Sequence, residues 1–185
     1  MKRACVAAAL CFGCTRNPAA RAPEPDTAPH SAVDEASALA SAAPLEGVPI
    51  ELEIPLVSGD SESLATLRGK VVVLMLSSSD RPGWSAFRSH FEARLKQIGR
   101  DRLVVVAVAN DADAEQLKAE WDRDPPPFLL GWDPGGALAL RLVVAALPAV
   151  FVLGPEGKSR GNLASIEPDA LARVDAWIDA ALPPR

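Results

Sequence analysis

The chain has 185 residues, 49% hydrophobic and 23% charged, with a formal net charge of -5. That length suits one domain plus a tail, and the acidic balance without any Lys/Arg stripe points away from nucleic acid as a partner. All three cysteines, Cys5, Cys11 and Cys14, fall in the first fourteen residues, and none occurs from Thr15 to Arg185. The body of the chain therefore holds no disulfide, no cysteine nucleophile and no thiolate metal site.

In chain order, Lys2 and Arg3 precede a short apolar run, "ACVAAALCFG", too short to span a bilayer as a helix. "LCFGC" at 10–14 resembles a bacterial lipoprotein signal, with Gly13 before the cysteine that receives lipid. Cys11 departs from the leucine usual three residues before that anchor, although Leu10 lies next to it. The resemblance implies a signal peptide over 1–13 and lipidation of Cys14, hence a bacterial envelope protein facing the periplasm or exterior. An ordinary secretory signal, giving a soluble secreted protein, is the other reading. Residues 14–47 are rich in Ala, Pro and Ser, with Pro18, Pro23, Pro25 and Pro29 opposing a helix. They read as a tether, and His30 within it as a solvated residue.

A folded domain is expected over 48–182, with 183–185 as a tail. "IELEIPL" (50–56) alternates apolar and polar, the pattern of a half-buried strand. "GDSESLATLRG" (59–69) reads as a turn and a short helical turn. "KVVVLML" (70–76) and "RLVVVAVA" (102–109) are continuous apolar runs, as buried strands are. Between them Trp84, Phe87, Phe91, Leu95 and Ile98 recur at helical spacing and Gly99 supplies a stop. "NDADAEQLKAEW" (110–121) offers Asp111 or Asp113 as a helix N-cap, with Ala114, Leu117 and Trp121 on one face. "DRDPPP" (122–127) cannot be helix interior. "FLLGWDPGG" is a strand and turn, "ALALRLV" a short helix, and "LPAVFVLGPEGKSRGNL" (147–163) a β-hairpin. Leu171, Val174, Ile178 and Leu182 form the apolar face of a closing helix. The order predicts an α/β domain with a mixed central sheet flanked by helices on both faces.

"LRGKVVVL" (67–74) and "LPAVFVLGPEGK" (147–158) resemble the thioredoxin-like redoxins of the TlpA type, membrane-tethered thiol–disulfide proteins. The resemblance covers about Ile50 to Leu182 and implies a thioredoxin-like fold. It also implies a cis Leu147-Pro148 bond beside the stretch "SSSDRPGWS" (77–85). The family carries Cys-x-x-Cys at that strand-to-helix junction. The matching residues here are Arg81, Pro82, Gly83 and Trp84: the spacing and the proline are kept, and both sulfurs are absent.

Thiol–disulfide exchange needs a thiolate of lowered pKa, which neither a guanidinium nor an indole can replace. The residues therefore favour a non-catalytic redoxin-like module, with no cofactor and no metal, that binds an envelope protein or a peptide or serves as an assembly accessory. Arg81 beside a helix N-terminus suits an anion, and Trp84, Leu147 and Pro148 are candidates for an apolar rim. In the competing reading Trp84 fills core space and Arg81 is solvated. Two alternatives are a thiol–disulfide oxidoreductase or antioxidant in family membership only, and an enzyme of another type using Arg81 and a serine. His90, about 120° around the helix from Trp84 at 3.6 residues per turn, reads as a surface residue rather than a base for Ser77, Ser78, Ser79 or Ser85. "NDADAE" lacks the glycine and spacing of a calcium loop.

Overall fold

The two continuous apolar runs form the centre of the domain. The computed structural model describes residues 46–184 apart from 82, 112 and 165–167. The expected signal peptide, Cys14 and most of the tether lie outside the described residues, as does Pro82. Strand β3 (Val71–Ser77) is buried along its whole length and pairs in parallel with β4 (Leu103–Ala109). Beyond β4 lies β5 (Leu129–Trp132), also parallel. On the other side β6 (Ala149–Leu153) and β7 (Ser159–Leu163) run antiparallel, giving the order β5-β4-β3-β6-β7.

A strand covered on both faces needs no polar alternation, which is why β3 and β4 read as unbroken apolar runs. On one face Val71, Val73 and Met75 pack against Phe87, Phe91 and Leu95 of α1 (Trp84–Ile98) and Leu171, Val174 and Ile178 of α4 (Pro168–Ala181). On the other, Val72, Leu74 and Leu76 meet Leu138 and Leu142, at and just beyond α3 (Ala137–Arg141), and Ile50, Leu52 and Ile54 of the entering chain. Helix α2 (Ala114–Arg123) joins through Leu117, packed with Ala109 and Leu130. The thioredoxin-like α/β architecture is thus present in full, with helices on both faces.

The start of the domain differs from the sequence expectation. Only β1 (Glu53–Pro55) is strand, and it pairs antiparallel with β2 (Ser61–Ser63), in a stretch expected to be turn. Leu64–Leu67 then forms a 3-10 turn. The β2 sequence, Ser-Glu-Ser, has no apolar residue to announce it. The pairing is specified by the partner strand, whose Ile54 is fully buried.

A bridge between Leu56 and Gly131 seats this ribbon against β5. A Cβ at Gly131 would lie 2.7 Å from Ile54 Cγ2 and 3.0 Å from Val108 Cγ2, so the strand crossing requires glycine. Gly131→Ala is expected to cost about 1–3 kcal/mol through overpacking, seen as a lowered urea midpoint at unchanged slope.

Candidate functional site

The carboxyl ends of β3 and β4 meet the start of α1, where Arg81, Gly83 and Trp84 stand. Ser77 ends β3 fully buried, and its carbonyl accepts from Asn110 N–H at 2.9 Å. The chain then turns twice, with Arg81 N–H donating to Ser78 O and Trp84 N–H to Arg81 O, each at 3.2 Å. Gly83 is the N-cap of α1, in the left-handed region at φ 94°, which favours glycine. It offers no capping side chain, and the first turn carries no acidic residue. The N–H of Trp84 is taken by Arg81 O, and the helix presents the positive end of its dipole with no acidic side chain in its first turn.

The loop is held from the side by Asp111. Its carboxylate accepts from Ser79 N–H at 3.0 Å and Ser79 Oγ at 2.7 Å, while its carbonyl takes the Trp132 indole N–H at 2.7 Å. Asp113, the second candidate cap, does cap α2, accepting from the N–H groups of Glu115 and Gln116 at 2.9 and 3.0 Å. The two aspartates therefore do different work. Asp113 closes a helix end, and Asp111 fixes the loop that carries Arg81. Both line a cleft of about 370 Å³, together with Ser79, Asp80 and Glu120 among others.

Leu147-Pro148 is cis, as the resemblance implied. Ala149 pairs with Leu76, so Pro148 comes to the level of Ser77 at the end of the ladder. Trp84 is half-buried and packs on the cluster of Phe87 and Phe91. Leu147, also half-buried, packs on the opposite cluster with Leu138 and Leu142. The two residues thus flank the end of the sheet from its two sides. Arg81 is exposed and forms no ion pair with any described residue.

His90 is more committed than a surface residue. Its Nε2 lies 3.1 Å from Asp175 Oδ1, and Arg94 Nε approaches the same oxygen at 3.0 Å, joining α1 to α4. The ring is thus engaged at the helix–helix contact. Neither this link nor that of Asp111 to Ser79 has a sequence signal: the partners are 85 and 32 residues apart. Among the described residues no group of three His, Cys, Asp or Glu side chains is placed to hold a metal ion.

The model of the AhpC/TSA family matches residues 48–161. Among solved structures, a protein described as the thiol:disulfide interchange protein DsbE of Chlorobium tepidum superposes with a TM-score of 0.67 at 21% identity, over 74% of this chain and 96% of that one. The peroxidoxin BcpB of Mycobacterium tuberculosis gives 0.62 at 19% identity, over 73% and 96%. A thiol-disulfide oxidoreductase of Bacteroides fragilis gives 0.58 at 14%, over 69% and 97%. At these identities the likeness is one of fold. No curated protein sequence matches the chain.

Proposed function

The chain belongs to the AhpC/TSA family, and from that premise we propose that its domain is a redoxin-like module that binds a partner instead of exchanging thiols. One observation carries the reading. A strand–loop–helix junction and a cis proline stand where the family resemblance expects a thiol site, yet the sequence from Thr15 to Arg185 contains no cysteine. Nothing in the domain can become the thiolate that exchange requires.

What remains at the junction suits recognition. Arg81, exposed and in no ion pair with a described residue, stands before a helix N-terminus that no side chain caps, and both favour an anionic group. Trp84 and Leu147 supply partly exposed apolar surface on either side. The ligand of this reading is a peptide or protein segment carrying a carboxylate, a C-terminus included. The resemblance of residues 10–14 to a lipoprotein signal supports a module held at the bacterial envelope through lipid on Cys14.

Affinity capture from envelope extract tests the reading. A specifically retained protein is expected with the wild-type chain, and its yield is expected to fall about tenfold with Arg81→Ala, the scale of losing one charge-assisted contact. Retention that is indifferent to both Arg81→Ala and Trp84→Ala would show that this surface is not where binding occurs.

A further inference from the structure

The other end of the sheet carries a second cleft, which neither the fold nor the proposed binding surface uses. The three parallel strands begin there, and the cleft, about 540 Å³, opens beside the first residues of β4 and β5. Such a volume falls within the range of small-molecule sites, about 300–1,000 Å³. It is separated from the Ser77–Trp84 junction by the seven residues of β3, about 20 Å at roughly 3.3 Å per residue.

Its chemistry is amphipathic. Leu67, Val104 and Leu129 offer half-buried apolar surface, and Pro125–Pro127 form a wall. Lys70 and Arg100 stand at the margin. Neither is in an ion pair with a described residue, whereas Arg68, Arg88, Arg94 and Arg160 all are. The single acid of the lining, Glu62, is engaged by the hydroxyl of Thr66. With Lys70 and Arg100 against the one carboxylate of Glu62, the lining is locally positive on a chain whose net charge is -5. Three successive prolines have no N–H to donate, so an added strand would find acceptors without donors along that wall. That disfavours an extended peptide and favours a ligand recognised by shape, apolar contact and charge.

We propose that this cleft binds a single-chain carboxylate amphiphile of the fatty-acid type. Its tail lies on Leu67, Val104 and Leu129 against the proline wall. Its head sits by Lys70 and Arg100, whose guanidinium matches a carboxylate in shape and charge.

Titration calorimetry on the full chain tests this with dodecanoate below its micelle concentration and with dodecyltrimethylammonium, which has the same tail and the opposite charge. Dodecanoate is expected to saturate a single site and to shift the methyl resonances of Leu67, Val104 and Leu129. The cationic probe is expected to bind about tenfold more weakly or less. The Lys70→Ala/Arg100→Ala variant is expected to lose about tenfold in dodecanoate affinity, as two partly exposed charge contacts would give. Equal affinity for the two probes overturns the proposal on the wild-type chain alone. So does an unchanged affinity in the double variant, or methyl shifts confined to other parts of the domain.

Discussion

Arg81→Cys combined with Trp84→Cys is expected to give the domain a disulfide-exchange activity for which residues 15–185 offer no cysteine of their own. The two positions bracket a turn closed by the Trp84 N–H to Arg81 O bond at 3.2 Å. Across such a turn the Cα atoms lie within about 7 Å, and a disulfide spans about 4.4–6.8 Å. A thiol at position 81 would stand just before the N-terminus of α1, whose dipole stabilises a thiolate and lowers its pKa. Pro148 is already at the level of Ser77 beside it. The experiment belongs in a background with Cys5, Cys11 and Cys14 replaced by alanine, so that only the new pair can act. Dithiothreitol-driven insulin reduction should then rise by about tenfold or more over the uncatalysed rate, the gain expected when a thiol at a helix N-terminus is shifted toward thiolate at neutral pH. A variant that folds and forms the new disulfide but does not exchange would show that the junction has diverged in more than its sulfurs.

The second large effect separates packing from recognition. Phe87 is 1% exposed, with its ring centroid 4.5 Å from Phe91 and 6.2 Å from Phe128. Phe87→Ala should cost about 3–5 kcal/mol, a large part of the roughly 5–15 kcal/mol that holds a domain folded. Trp84 sits one turn earlier on the same helix and packs on the same cluster, but it keeps part of its surface in water. In proportion to area buried, Trp84→Ala should cost about half as much. Urea unfolding of the two variants measures both. A Trp84→Ala cost equal to that of Phe87→Ala would make the indole a core residue with no surface left for a partner.

The parts of the fold readable in the sequence are those where burial leaves a local pattern. Val71–Leu76 and Leu103–Ala109 are apolar throughout because helices or entering chain cover both sides. Phe87, Phe91 and Leu95 recur because one face of α1 is buried. Strand β2 left no trace, since a Ser-Glu-Ser triplet pairs through its backbone and its partner supplies the buried side chain. The cis bond before Pro148 has no local signature, and only the family resemblance of the surrounding segment indicated it.

At the site, the residue types and the junction were legible, but the contacts that fix them were not. Asp111 was one of two equivalent candidate caps until the fold brought Ser79 within 3.0 Å of it. His90 looked free until α4 brought Asp175 against its ring nitrogen. Both contacts are created by strand and helix packing, which no short sequence window contains.

Insulin reduction by the unmodified full chain tests the proposed binding role most directly. Its three cysteines, all N-terminal to Thr15, are the only thiols available. Turnover is expected at the dithiothreitol background, unchanged when Cys5, Cys11 and Cys14 are replaced by alanine. Turnover above background that disappears in the cysteine-free chain would mean that an N-terminal thiol works with the domain, and would contradict a purely binding role.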